Sequence, residues 1–489
     1  MRRAGLVLLA AITPFACKVY AGELADATER GEWDQISRLI AAGEAPDAPQ
    51  IDGMTALHWA VFHDNPRATK ALIEAGAEPG WANDYGVTPL SLACQNGNAT
   101  IVRQLLAHGA DPNTELEGGE TALMTAARTG DADCVRSLLA GGAEIDVRER
   151  RGQTAIMWAA ADGHNEVVEA LLEAGAEFRK PLKSGFTPLL FAVRQGHIDV
   201  VRSLIEAGAE VNAAAEPDRP RGRSMRSGTS PLMLAVENGH FELAIELVDA
   251  GADPNDQRSR FTPLHALTWV RKSVRGDGHD GIPTPRGSGD LGSLGFAREL
   301  IARGADVNAR LKNGSGGAAR VHKKGATPFL MASETCDIPL MKLLIELGAD
   351  PEIPNTQGCM PILAAAGVGV FAPGEEAGLL DDALEAVVYL LEIGADINAV
   401  DKSGETVMHG AAYKCAPEMI RLLDQRGAKI EVWNTKNKSG WTPLMIAQGF
   451  RPGNFRPIAE VTEAISVVME SHGLTPPPPP ERGKKKQAY

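Results

Sequence analysis

Apolar and polar positions alternate along the chain as pairs of short amphipathic segments, most clearly within residues 185–213. Residues 198–206 carry apolar side chains at the i, i+1, i+4, i+5 spacing of one helix face. A shorter apolar segment precedes them and starts at Thr187-Pro188, an N-cap residue followed by proline at the first helical position. Gly208 then supplies the left-handed residue that ends the second helix. The pattern predicts two helices that can bury their apolar faces only against further copies.

The capping threonine recurs at a fixed distance in the first part of the chain. It stands every 33 residues, at Thr55, Thr88, Thr121, Thr154 and Thr187. Residues 55–60 read TALHWA, and residues 262–267 read TPLHAL. This period and these motifs resemble the ankyrin-repeat family, whose pattern is T-P-L-H-x-A.

The resemblance covers roughly residues 23–471 and implies the fold class. We expect an all-α repeat solenoid of about twelve helix-turn-helix units, joined by hairpin fingers and including a cap at each end. Met360 and Arg260 replace a capping threonine and a turn glycine, and irregular spacing of the later copies indicates inserted loops near 213–228, 271–295, 310–325 and 366–380. The domains expected are a signal peptide over 1–21, the solenoid over 22–471 and a disordered Pro/Lys-rich tail over 472–489.

Residues 1–21 have the features of a secretory signal peptide. The start is positively charged, residues 4–16 form an apolar run too short to span a bilayer, and Val19 and Ala21 suit positions −3 and −1 of a cleavage site. We expect cleavage after Ala21 and an exported protein, either periplasmic or secreted. The alternative is a lipid anchor on Cys17, although the leucine expected three residues before it is absent.

The chain is acidic, and this restricts its partners. Its formal net charge is −14, and removal of Arg2, Arg3 and Lys18 with the signal lowers it to −17. An acidic body disfavours non-specific binding to nucleic acid or anionic membranes. No later stretch is apolar over the length of a transmembrane helix. We expect no specific nucleic-acid partner, no transmembrane segment in the mature chain, and a monomer.

The sequence contains none of the common catalytic motifs. There is no HExxH, GxSxG or P-loop sequence. Histidines such as His58, His265 and His409 stand at repeat positions, where packing explains them. Five cysteines remain after cleavage, an odd number without a CxxC pair, and we interpret them as buried free thiols. We therefore predict a protein that is not an enzyme and needs no cofactor.

The family resemblance implies where a partner binds. Proteins of this family usually bind their partners on the concave side of the solenoid, through the fingers and the first helices. The implied positions flank the turn glycine or lie seven and eight residues after the capping threonine. Here they carry Phe62, Tyr85, Arg128, Phe186, Arg194, Phe261, Trp269, Tyr413, Trp441 and Phe450. Aromatic and arginine side chains are common interface anchors, although some can instead pack beneath a neighbouring finger. The leading hypothesis is a scaffold that recognises a protein partner through this face.

Two inserted fingers are basic in an otherwise acidic chain. One contains Arg219, Arg221, Arg223 and Arg226, and the other contains Arg320, His322, Lys323 and Lys324. Together they support an alternative function, the capture of a polyanionic or cell-surface ligand. The other interpretation is that these are flexible, solvated loops which their charges keep soluble.

The loop over 271–295 carries a second alternative, a metal site. Asp277, His279 and Asp280 are possible cation ligands, but three ligands in a Gly/Pro-rich loop make an incomplete set. A GxGxxG sequence starts at Gly287. No strand precedes it, so the context of a dinucleotide-binding unit is absent.

Overall fold

A computed structural model describes residues 22–218, 225–272, 285–314, 321–370, 380–451 and 456–479. The predicted signal peptide lies outside the described residues, as do positions 480–489 of the predicted tail. The chain divides into two compact units, one ending at Lys180 and one starting at Pro181.

The described part of the first unit is built from helices that pack in consecutive pairs. They are α1 (Glu23–Glu29), α2 (Trp33–Ala41), α3 (Ala56–Phe62), α4 (Pro66–Glu74), α5 (Pro89–Asn96), α6 (Ala99–Ala107), α7 (Ala122–Thr129), α8 (Ala132–Ala140), α9 (Ala155–Asp162) and α10 (Asn165–Glu173). The first helices of successive pairs also pack on one another, α1 on α3, α3 on α5, α5 on α7 and α7 on α9.

The second unit continues the same scheme within its described ranges. Its helices are α11 (Pro188–Gln195), α12 (Ile198–Glu206), α13 (Pro231–Glu237), α14 (Phe241–Asp249), α15 (Pro263–Arg271), α16 (Ser293–Ala302), α17 (Pro328–Glu334), α18 (Ile338–Glu346), α19 (Pro361–Ala366), α20 (Leu380–Glu392), α21 (Val407–Lys414), α22 (Pro417–Gln425), α23 (Ile430–Trp433), α24 (Pro443–Ala447) and α25 (Ala459–Ser471). Over the described part of the chain the helices make twelve packed pairs, with α23 as an additional short helix. The all-α repeat fold is therefore confirmed.

Short polar side chains begin most of the first helices. The hydroxyl oxygen of Thr187 accepts a hydrogen bond from the backbone N–H of Leu190 at 3.3 Å, and Thr121 does the same for Met124. This is the N-cap geometry that the sequence predicts. Thr154 is an exception, because its buried hydroxyl has no partner in the structure. Met360 also begins its helix without a side-chain cap.

Apolar residues at one repeat position form the core of the first unit. Leu57, Leu90, Leu123 and Ile156 each lie two residues after a capping threonine and are almost fully buried. Burying one such side chain contributes about 1.5–3 kcal/mol. A single pair of helices could bury these side chains on one side only, which is why the pairs stack.

The histidines of the T-x-L-H motif join each pair to the next finger. His265 Nδ1 bonds the Thr262 hydroxyl at 2.7 Å, and its Nε2 bonds the carbonyl of Ala326 at 3.1 Å. His58 makes the equivalent contact with the carbonyl of Val87 at 3.0 Å in the first unit. These residues are buried structural groups, as the sequence analysis proposes.

Asparagine side chains tie successive fingers together in the second unit. The amide nitrogen of Asn212 donates to the carbonyl of Gly251 at 2.8 Å, and its oxygen accepts from the N–H of Asp253 at 2.9 Å. Asn255 makes the same pair of bonds one finger later. The fingers thus keep a fixed register although the described residues contain only isolated β-bridges, between Glu115 and Thr121 and between Ala215 and Thr229.

Four turns in the described ranges use a residue other than glycine at positive φ, and one of them is Asp64 (φ 53°) between α3 and α4. Cys336 (φ 51°) and Cys415 (φ 60°) stand between the helices of their pairs, where Gly196 stands in the α11–α12 pair. Arg260 (φ 83°) replaces a turn glycine before α15, as its sequence position predicts. Such residues cost roughly 1–3 kcal/mol each, so surrounding contacts must hold them. No helix in the described ranges is long and apolar enough to cross a membrane.

Candidate functional site

The partner-binding candidates differ in how much of each side chain reaches solvent. Tyr85 is 73% exposed, Phe62 is 55% exposed, and Arg128 is also exposed. Six others are half-buried, namely Phe186, Arg194, Phe261, Trp269, Trp441 and Phe450. Tyr413 is only 7% exposed. Nine of the ten candidates therefore reach the surface at least in part.

Arg194 lies against two aromatic rings of the second unit. Its guanidinium carbon is 4.8 Å from the ring centre of Phe186 and 5.4 Å from that of Phe191, and the two rings are 4.8 Å apart. Partial burial lowers the pKa of the Arg194 guanidinium. Phe191 is buried, so the half-buried Arg194 guanidinium and Phe186 ring are the parts of this contact that reach solvent.

Phe261 and Trp269 form a second aromatic contact in the same unit. Their rings meet edge to face with centres 4.8 Å apart. Arg226 lies 5.9 Å from the Phe261 ring centre and is ion-paired with Glu237 at 3.1 Å. Arg226, which the sequence predicts as part of a basic finger, is therefore already ion-paired within its own chain.

The prediction that Tyr413 is a surface anchor is wrong. Its hydroxyl donates to Glu405 Oε1 at 3.3 Å and accepts from the Asn437 amide at 3.1 Å. Arg451 covers the ring at 5.5 Å and donates to the Tyr413 carbonyl at 2.6 Å. The reason is that the chain after α24 folds back over this position, which the regular repeat spacing does not indicate.

A buried carboxyl group accompanies Tyr413. Burial, with the Asp401 carboxylate nearby, raises the pKa of Glu405 to about 7, and burial raises the pKa of Tyr413 as well. Glu405 Oε2 has no hydrogen-bond partner in the structure. Within the described residues Glu405 is hydrogen-bonded to Tyr413 and Asn437 of the same unit, so we interpret the group as structural.

The basic residues of the two inserted fingers are less available to a ligand than the sequence indicates. Arg219, Arg221, Arg223 and Arg320 lie outside the described residues. Of the remaining predicted residues, Lys323 is ion-paired with Glu334, Arg226 with Glu237, and Lys324 is exposed. Among the described residues of the two fingers, Lys324 is thus the exposed cation that is not ion-paired within the chain.

Part of the loop predicted over 271–295 is ordered against the neighbouring repeat. Helix α16 begins at Ser293, and the backbone N–H of Ser288 donates to His240 Nδ1 at 2.9 Å. Glu242 Oε1 accepts from the N–H groups of Asp290 and Leu291 at 2.8 and 3.0 Å. These contacts anchor the described end of the loop directly before α16.

The described residues hold no group of three or more His, Cys, Asp or Glu side chains placed to bind a metal. Asp277, His279 and Asp280, the predicted cation ligands, lie outside the described ranges. Cys94, Cys134, Cys336, Cys359 and Cys415 are free thiols, and the first four are buried. Burial raises the pKa of the Cys94 thiol to about 12, which disfavours the nucleophilic thiolate.

An aromatic cluster of the first unit contains residues that the sequence analysis did not select. Trp33, Trp59, Phe62 and His63 form it, and only Phe62 is among the candidates. Trp33 is 37% exposed and belongs to the predicted terminal cap. The available signal was two tryptophans, a phenylalanine and a histidine within two neighbouring units of a chain in which only 5% of residues are Phe, Trp or Tyr.

Known proteins resemble the chain over most of its repeats. Residues 24–116, 123–215 and 377–455 match a family model described as "Ankyrin repeats (3 copies)", and residues 227–260 match one described as "Ankyrin repeat". These segments together cover more than half of the chain. The crystal structure of the human ASB11 ankyrin repeat domain is 27% identical, covers 47% of this chain and 98% of that chain, and gives a TM-score of 0.39.

Proposed function

Because the chain belongs to the ankyrin-repeat family, whose members generally act as scaffolds for protein–protein interaction, we propose that it is an exported, non-enzymatic scaffold for a protein partner. The partner binds the surface formed by the turns and by the first helices of the pairs. In the first unit this surface includes Tyr85 and Arg128, and in the second unit it includes Arg194 and Phe186.

The main observation that supports the proposal is the exposed ring of Tyr85. Tyr85 lies at the tip of the turn between α4 and α5, where Asn83 Oδ1 accepts hydrogen bonds from the backbone N–H groups of Tyr85 and Val87 at 3.0 and 2.9 Å. The turn is therefore held in one conformation while the ring is 73% exposed. A partner that buries a pre-positioned aromatic ring gains apolar contact at a small entropic cost.

Site-specific photo-crosslinking tests the proposal. A photo-reactive amino acid replaces Tyr85 in one variant and Lys70 in the control, because Lys70 is exposed on the second helix of its pair. The cells that express the chain supply the partner. We expect a discrete protein adduct from position 85 and none from position 70. Equal adducts from both positions, or none from either, would contradict the proposed surface.

The exported location is a separate part of the proposal. It is supported by the charged start, the short apolar run and the residues before Ala21. Amino-terminal sequencing of the protein recovered from cells tests it. We expect the mature chain to begin at Gly22, whereas a chain that begins at Met1 or at a lipid-modified Cys17 would exclude cleavage after Ala21.

A further inference from the structure

We propose that the aromatic cluster of the first unit, formed by Trp33, Trp59, Phe62 and His63, binds an arginine or lysine side chain of a partner protein. This inference rests on the proposed scaffold function and specifies the chemistry of one part of the partner. The occupant is a peptide segment that carries a cationic side chain.

The four rings form a connected group in which Trp33 adjoins His63, and all four reach solvent at least in part. Trp59 and Phe62 meet edge to face at 5.5 Å, and Trp33 meets His63 edge to face at 5.8 Å. His63 also lies 5.7 Å from Phe62 and 6.3 Å from Trp59. Phe62, His63 and Trp33 are exposed, and Trp59 is half-buried. The cluster therefore presents several π faces and edges over a small area.

Several other aromatic side chains in the described structure are already covered by a cation of the same chain. The contacts are Arg128 over Trp158, Arg179 over Phe178, Arg194 over Phe186 and Phe191, Arg226 over Phe261, Lys342 over Tyr389, and Arg451 over Tyr413. Within the described ranges the aromatic cluster has no such cation. Trp59 and Trp158 show the difference best, because both lie four residues after a capping threonine. We infer that the cation missing at Trp59 comes from a partner.

Carboxylates beside the cluster complement a positive ligand. The indole N–H of Trp59 donates to Gln50 Oε1 at 2.7 Å, and the Gln50 amide nitrogen donates to Asp26 Oδ1 at 2.8 Å and Glu29 Oε2 at 2.7 Å. His63 Nε2 is bonded to the carbonyl of Glu29 at 2.8 Å. One neutral amide thus holds two exposed carboxylates together next to the rings. A cation placed there gains both ion-pair and cation–π attraction.

The basic residue next to the cluster along the chain is not available for this role. Arg30 is ion-paired with Glu32, with Nε 2.9 Å from Oε1 and a second bond of 3.1 Å from Nη2 to Oε2. Its bidentate geometry makes it a partner of Glu32, and in the described structure neither Asp26 nor Glu29 has a basic nitrogen within 4 Å. The charge balance of this corner of the first unit is therefore negative.

A peptide titration of the full mature chain tests the inference. The probe is a short synthetic peptide in which two arginines flank a leucine, and the reference is the same peptide with citrulline, a neutral analogue, in place of arginine. Tryptophan fluorescence reports binding. We expect saturable binding of the arginine peptide that weakens with added salt, and at least tenfold weaker binding of the citrulline peptide.

Substitutions locate the site. Trp33→Leu and Trp59→Leu should each weaken binding of the arginine peptide about two- to fivefold, the range of a cation–π contact at an exposed site. Asp26→Asn combined with Glu29→Gln should weaken binding and reduce its salt dependence. Trp158→Leu is the matched control and should leave the affinity unchanged, because Arg128 already covers that ring. Thermal unfolding confirms that each variant is folded.

The outcomes separate this inference from the proposed scaffold function. Equal binding of both peptides, or equal losses in Trp59→Leu and Trp158→Leu, would overturn the cation site even if position 85 still crosslinks a partner. Conversely, selective arginine-peptide binding that is lost in Trp33→Leu supports the site, and an absence of crosslinked partner would then contradict the scaffold proposal alone.

Discussion

His240 and Ser288 join a repeat to the inserted loop that follows it 48 residues later. His240 Nδ1 accepts a hydrogen bond from the backbone N–H of Ser288 at 2.9 Å, while His240 Nε2 is bonded to the carbonyl of Arg194 at 3.0 Å. Since a carbonyl can only accept, Nε2 carries the hydrogen and the ring must be neutral for Nδ1 to accept. The hydrogen bond from the Ser288 N–H therefore depends on an unprotonated imidazole.

Acidification should weaken the attachment of this loop at Ser288. Burial lowers the pKa of His240 below its usual value of 6.5, so its neutral form stabilises the fold fully above about pH 6.5 and this contribution is lost as the pH falls through the lowered pKa. We expect the hydrogen-exchange protection factor of the Ser288 amide to decrease between pH 7.5 and pH 5. The Leu190 amide, bonded to the Thr187 hydroxyl, is the control. A protection factor of Ser288 that stays constant would show that His240 does not hold the loop.

Substitution of Glu242 distinguishes the contribution of the histidine from that of the carboxylate, since both anchor the same loop. Glu242 Oε1 accepts two backbone N–H bonds from the loop, so Glu242→Gln should lower the Ser288 protection factor at every pH. The decrease between pH 7.5 and pH 5 should remain, because it arises from His240. If Glu242→Gln abolishes the pH dependence instead, the assignment of that dependence to His240 is wrong.

The buried histidine of the T-x-L-H motif should make the second unit less stable in acid. Burial lowers the pKa of His265 to about 4 from 6.5, so its neutral form is favoured in the folded state. The resulting stability is present above pH 6.5 and decreases by up to about 3 kcal/mol as the pH falls to 4. His265→Gln should unfold at lower denaturant concentration at pH 7 and show a smaller loss on acidification. An unchanged pH slope in denaturant unfolding would contradict this assignment.

Glu405 should have the opposite pH signature. Its folded-state pKa of about 7 is raised above the usual 4.5, so its protonated form is favoured by the fold. The associated stability is complete below pH 4.5 and is lost as the pH rises through 7. Glu405→Gln, which keeps an acceptor for Asn437, should therefore increase the free energy of unfolding at pH 8 by about 1–3 kcal/mol. Little change is expected at pH 4.5. The exposed Glu385→Gln is the control, and the same gain there would refute the burial explanation.

Two threonines at equivalent positions should differ in their contribution to stability. Thr121 caps its helix through the N–H of Met124, whereas the buried hydroxyl of Thr154 has no partner in the structure. Thr121→Val should lower the unfolding free energy by about 1 kcal/mol, and Thr154→Val should be neutral or stabilising. Chemical denaturation of the two variants checks this difference. Equal losses would show that the Thr154 hydroxyl is satisfied in solution.

Local chemistry made the regular part of the fold predictable from sequence. A capping threonine, a proline at the first helical position and a glycine after the second helix act over a few residues, and the 33-residue period repeats them. The helix pairs and the family that these signals predict are confirmed. The signal peptide and the disordered tail remain predictions.

Long-range contacts explain what the sequence analysis missed. Tyr413 is buried because Arg451, 38 residues later, covers its ring. Residues 285–292 are ordered by His240 and Glu242 of an earlier repeat. Likewise, the aromatic cluster combines Trp33 from the terminal cap with His63 from the next pair. Repeat spacing gives the position of each residue within its own copy but does not show which later segment folds over it.

The affinity of the crosslinked partner for surface variants tests the central claim most directly. The partner recovered from position 85 is purified, and its Kd is measured for the unmodified chain, for Tyr85→Ala and for Lys70→Ala. The scaffold account predicts at least a fivefold loss with Tyr85→Ala, since burial of an anchoring ring contributes more than 1 kcal/mol, and no change with Lys70→Ala. Unchanged affinity in Tyr85→Ala, or an equal loss in Lys70→Ala, would contradict the claim that the partner binds the turns and first helices.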